Sequence, residues 1–167
     1  MTEIEVPIEH VQEEIHHHAL HDKNETVSRG AILSAFLAVL AAIAALFAGH
    51  FANEALIEQI QSSNSWGYYQ AKGIKASIAE LKDQPEKVEE YKKEQVEIKK
   101  DAEEKASGSL RHLHKHESLA VAVTLFQVSI GMIAVAILSN KRRFLSLAMI
   151  LSCFGLFWFF RGFVLYN

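Results

Sequence analysis

The chain has 167 residues, half of them hydrophobic and 22% charged, with 20 Asp and Glu against 17 Lys and Arg for a formal net charge of −3. These averages conceal a segregation: residues 30–49, 119–139 and 144–160 contain no Asp, Glu, Lys or Arg. Three runs near the ~20 apolar residues that cross a bilayer exclude an ordinary soluble core, since too little other apolar material remains to surround three helices apolar on every face.

The tail, residues 1–29, is acidic and His-rich, with seven acids against Lys23 and Arg29. Its charge and length do not suit a signal peptide, so the first apolar run is expected to stay as an anchor. Val6-Pro7 marks an extended start, and residues 9–23 fit a short surface helix at most. His16, His17 and His18 fit weak metal affinity, or simply a solvated tail.

The first span, residues 30–50, is dense in alanine. Pairs four apart, Ala38/Ala42 and Ala45/Gly49, predict a face on which helix backbones approach closely, against other spans or another copy. Leu37, Leu40, Ile43 and Phe47 are expected to face lipid or fill gaps.

Residues 51–117 are charged and helix-forming, and Asp83-Gln84-Pro85-Glu86 divides them into legs of 32 and 34 residues. Asp83 fits an N-cap, Pro85 a first helical turn, and Glu86 completes a capping-box pattern. Equal legs of roughly 50 Å predict an antiparallel hairpin with its tip near 83–85, both ends returning to one plane. No breaker separates the first span from the first leg. Residues 62–67 (S-S-N-S-W-G) are its weak place, where a kink is expected if anywhere. Trp66, Tyr68, Tyr69, Ile74, Ile78 and Leu81 are expected to pack across the hairpin. On the second leg Val88, Tyr91, Gln95, Ile98, Ala102 and Leu113 form a thin stripe suited to a two-helix contact or a small bundle of hairpins. The 13 acids and 11 bases of residues 51–117 leave no basic footprint for nucleic acid.

The second and third spans, 118–139 and 144–163, are joined by the loop 140–143, which holds Lys141, Arg142 and Arg143. The positive-inside rule places this loop and the N-terminus in the cytoplasm, and the hairpin and C-terminus on the outer side. Trp158, Tyr166 and Arg161 fit an interfacial belt. Cys153, the single cysteine, is expected to be a small packing residue. The fold class predicted is therefore all-α: an integral membrane protein with three transmembrane helices and a long extramembrane antiparallel hairpin between the first and second.

Histidine carries the only constellation with chemistry in it. His112 and His116 lie four apart, and equal legs put them level with His50 and Glu54. Imidazoles and a carboxylate in that arrangement suit a Zn²⁺ shell or a pH-sensitive patch, beside the plainer reading as polar residues at helix ends. There is no Gly-rich phosphate loop, nucleophile elbow or H-E-x-x-H, and no Asp, Glu, Lys, Arg or His within residues 30–49, 119–139 and 144–160, so neither an enzyme nor an ion-coupled transporter is expected. Small polar residues such as Gln127 and Ser129 leave open a pore built from several copies.

Three strings, E-V-P-x-E-H near the start, A-G-H-F-A-N-E-A-L-I-E-Q-I around His50 and W-G-Y-Y-Q-A-K-G-I-K from Trp66, resemble a bacterial membrane family catalogued as domain of unknown function, family 4337. The resemblance covers the whole chain. It implies a small bacterial inner-membrane protein and brings no activity, cofactor or catalytic residue. The function expected is a membrane-anchored interaction or scaffold protein that self-associates or meets an unknown protein partner. The alternatives are a metal- or pH-responsive sensor using His50, Glu54, His112 and His116, and a small oligomeric channel.

Overall fold

The computed structural model describes residues 25–164, with side chains from Val27. The expected tail helix and its histidines, and Tyr166, lie outside the described residues. The described chain is three α-helices: α1 (Glu25–Leu81), α2 (Pro85–Ser139) and α3 (Arg142–Val164). Each contains a stretch long and apolar enough to cross a membrane.

The two links use the same device. At the first, Asp83 takes a left-handed φ of 53°, with its N–H on Glu80 O at 3.1 Å and the Gln84 N–H on Ala79 O at 3.0 Å. These bonds close α1 with a Schellman cap. Asp83 therefore ends α1 rather than capping α2, correcting its expected N-cap role. Gln84 stands before Pro85, its carbonyl accepting the Val88 N–H at 3.2 Å. Asn140 repeats the left-handed turn with φ 51° and its N–H on Ile137 O. Asp and Asn tolerate this conformation better than other side-chain-bearing residues. The basic link is shorter than expected, because Arg142 and Arg143 already belong to α3.

The described chain divides into two compact units, one formed by residues 25–49 and 115–164, the other by residues 50–114. In the first unit Leu37, Ala41, Ala122, Phe126, Ile130, Ile133 and Ala148 form the core. From Ser34 onward the buried positions of α1 there are Ser34, Leu37, Ala41, Ala44 and Ala48, alternately three and four apart. That is a 3.5-residue period, the geometry of supercoiled helices. The small-residue pairs expected to pack fare otherwise: Ala42, Ala45 and Gly49 are exposed, and nothing lies within 4 Å of a Cβ placed on Gly49. Close approach comes instead from Gly155 against Phe126, and from Gly162 against Leu119. Cys153 is exposed, so it does not pack inside this unit.

In the second unit α1 and α2 pair through side chains that reach the facing backbone. The Ser109 hydroxyl donates to Ala55 O at 2.8 Å, Ser62 to Ala102 O at 2.9 Å, and the Gln95 amide to Tyr69 O at 3.0 Å. The α1 numbers rise by seven as the α2 numbers fall by seven. Two helices whose chain directions oppose each other, packed with a heptad repeat, produce that pattern. Helix α1 continues unbroken through 62–67, the stretch whose residue types left room for a kink. Serine favours breaks when its hydroxyl competes for its own backbone, but Ser62 is bonded to Ala102 O, and Ser65 to Asp101 Oδ2 at 2.7 Å.

Candidate functional site

Of the four residues expected to converge, His116 belongs to the first unit and His50, Glu54 and His112 to the second. His116 is half-buried, and its Nδ1 lies 2.9 Å from Ala48 O, so the tautomer that donates there is the bonded one. In the second unit His50 is exposed, its ring 5.4 Å from that of its neighbour Phe51. Glu54 is half-buried.

His112 is the member with a carboxylate partner, and that partner is Glu58 rather than Glu54. Its Nε2 lies 3.8 Å from Glu58 Oε1, and its ring centroid is 5.8 Å from that of Phe51. Gly108 makes room for this contact, because a Cβ there would stand 2.8 Å from the Glu58 carboxyl carbon. Glu58 Oε2 and His112 Nδ1 are both buried without a hydrogen-bond partner. A neutral imidazole makes a weak polar contact with the carboxylate; an imidazolium would make an ion pair.

Glu58, Gly108 and Phe51 are the residues that spacing alone missed. Levelling the ends of equal legs matches His112 to about residue 56. The backbone pairings are 55/109, 62/102 and 69/95, which set 112 opposite 52. Helical side chains lean toward their own N-terminus, so contacts between long side chains join positions of higher combined number, such as 58 and 112. Among the described residues no three His, Cys, Asp or Glu side chains gather as a metal shell requires.

Lys72 pairs with Glu94 across the second unit's contact, and along α2 Lys105 pairs with Asp101 at 2.9 Å and Lys99 with Glu103 at 3.7 Å. Lys72 also lies 5.2 Å from the Tyr91 ring centroid. The Asp101 carboxyl is held below the usual carboxylate range, first by the hydrogen bond from Lys105 and then by that from Ser65. At the link, a groove of about 400 Å³ lies between Glu80, Asp83, Gln84, Pro85, Val88, Glu89 and Lys92. Among the described residues, its lining is mostly charged and holds no imidazole or thiol.

Of the small polar residues named in the second span, one is buried and one half-buried. Ser129 is buried and its hydroxyl bonds Leu125 O of its own helix at 2.7 Å, and Gln127 is half-buried. Arg161 on α3 lies over Trp158, 4.5 Å from the ring centroid.

These features define an all-α chain whose helices each join or contain an apolar segment, with its charge gathered in the second unit. The chain belongs to the family described as Domain of unknown function (DUF4337), matching it over residues 26–88 and 81–165. No curated protein and no solved structure shows significant similarity to it.

Proposed function

We propose that the chain is a membrane-anchored interaction or scaffold protein without enzymatic activity, which self-associates and holds a coiled-coil-like antiparallel hairpin outside the bilayer. The observation that carries this reading is the seven-residue ladder of bonds 55/109, 62/102 and 69/95, which gives the charged segment a helix-pair architecture. Three helices with stretches apolar enough to span support the anchor. In this reading the protein lies in a bacterial inner membrane. The N-terminus and Lys141, Arg142 and Arg143 are cytoplasmic, and the hairpin and C-terminus face outward. The expected result of amine crosslinking of the full chain in native membranes is a ladder of multimers. A single monomer band at all crosslinker concentrations would sink the scaffold reading.

A second reading, a pH-responsive module, is favoured by the contact of His112 with Glu58. Protonated His112 would hold the two helices together through an ion pair that deprotonation weakens. Proteolytic protection of residues 50–114 would then rise as pH falls, and His112→Ala would remove that rise. Protection that ignores pH in the native chain excludes this reading.

A further inference from the structure

Within the second unit, α1 carries a second seven-residue seam of exposed apolar residues. The buried positions facing α2 are Ala55, Ser62, Ser65, Ala76 and Ala79. Ile57, Ile60, Ile74, Ile78 and Leu81 are all exposed, Leu81 at 88%. Ile57 and Leu81 span 25 residues, or about three and a half heptads, enough for a coiled-coil seam. Two positions separate this series from the inner one, and at 100° per residue that is 200°, the opposite face of the helix.

The geometry points to a second copy of this chain as the occupant, with the two α1 helices parallel and in register along this outer seam. This inference rests on the anchored, self-associating reading proposed above, because two copies inserted alike in one bilayer present their α1 helices in the same direction. Three further observations support a like partner. First, the period matches the inner seam, so the cover is another helix of the same supercoil. Second, charge on α1 is scarce. Residues 50–81 carry five Asp, Glu, Lys and Arg, whereas residues 86–117 carry 17 in the same length. Of the five, Glu58 and Lys72 meet α2 residues. Pairing two such faces in register sets Leu56 beside Gln61, Ser63 beside Tyr68, Gln70 beside Lys75 and Ser77 beside Lys82, so no flank opposes like charges. Third, Asn64 sits where the heptad count places a core position, in series with Ile57, Ala71 and Ile78. An amide at one such position pairs best with its own image, which selects the in-register parallel arrangement at some cost in stability.

Cysteine crosslinking tests this in the full chain in membrane vesicles, on a Cys153→Ser background with a mild oxidant. In register, Ile60 and Ile74 each meet their own image across the axis, close enough for a disulfide. Ile60→Cys and Ile74→Cys should each give a disulfide dimer in several-fold greater yield than Gln59→Cys, an exposed neighbour pointing off the seam. Equal yields at Ile60, Ile74 and Gln59 overturn the seam. A dimer formed only when Ile60→Cys is mixed with Ile78→Cys overturns it too, because that is the antiparallel result. If amine crosslinking still shows a ladder in those outcomes, self-association stands and only this seam falls. If the ladder is also missing, both fall.

Discussion

Glycine at position 155 lets a phenyl ring occupy space that any side chain would fill. A methyl group there would stand 2.7 Å from Phe126 Cε1, and Phe126 is fully buried. The ring has no free volume to move into, so Gly155→Ala should lower stability by about 1–3 kcal/mol, the usual cost of overpacking. Gly131→Ala is the matched comparison, since nothing lies within 4 Å of its Cβ position. It should raise stability by up to about 1 kcal/mol through helix propensity alone. Denaturant unfolding in detergent distinguishes the two, and the same sign for both would refute the steric argument. Asp101 gives a pH dependence whose direction follows from its partners. Lys105 and Ser65 favour the carboxylate, so the folded value is depressed. The contribution is present above the ordinary carboxylate pKa of roughly 3.9. It is lost as pH falls through the lowered folded value. Native-chain protection of residues 62–69 against hydrogen exchange should therefore weaken on strong acidification, and Asp101→Asn should remove part of that dependence. An unchanged acid profile in the variant would show the bonds to be energetically idle.

At the scale of the element, the contact between α1 and α2 is made by small residues because bonds from side chain to facing backbone require short separations. Ala102 is fully buried and its carbonyl receives the Ser62 hydroxyl. Ala102→Leu should force the helices apart, costing about 1–3 kcal/mol from overpacking and breaking the bonds of Ser62 and Ser65. Hydrogen exchange should quicken around 62–65 and 98–105. Val96→Leu, on an exposed position, should leave those rates alone. This packing also explains which expectations failed. Large apolar residues at helical spacing mark a buried face in most helices, yet Tyr68, Ile74, Ile78 and Leu81 are exposed. The inner face uses alanine and serine, residue types whose low hydropathy contrast hides it from a reading of periodicity. Leu113 is exposed for the same reason, with Ser109 on the inward side.

For the molecule as a whole, charge segregation is the feature with the longest reach. In the proposed topology the link at Gln84 and the link at Asn140 lie on opposite sides of the bilayer. Gln84→Cys and Asn140→Cys, each on a Cys153→Ser background, should react with a membrane-impermeant maleimide from opposite faces of oriented vesicles. Labelling of both from one face would overturn the topology. Three charge-free runs, a Pro at the start of α2 and the unbroken passage from apolar to charged helix could all be read in the chain itself. Each depends on composition or on local backbone chemistry, which sequence carries directly.

The candidate site shows the other side of that division. The sequence by itself determined that His112 would face α1 near the beginning of the charged segment, because helix length and the turn at Pro85 fix the approximate level. Only the tertiary structure decided that its carboxylate is Glu58, that Gly108 opens the space for it, and that His116 meets a backbone carbonyl. Those outcomes depend on a stagger of about four residues between the two helices and on the lean of each side chain. Stagger is set by the sum of many small contacts along the seam, and no single local spacing encodes it.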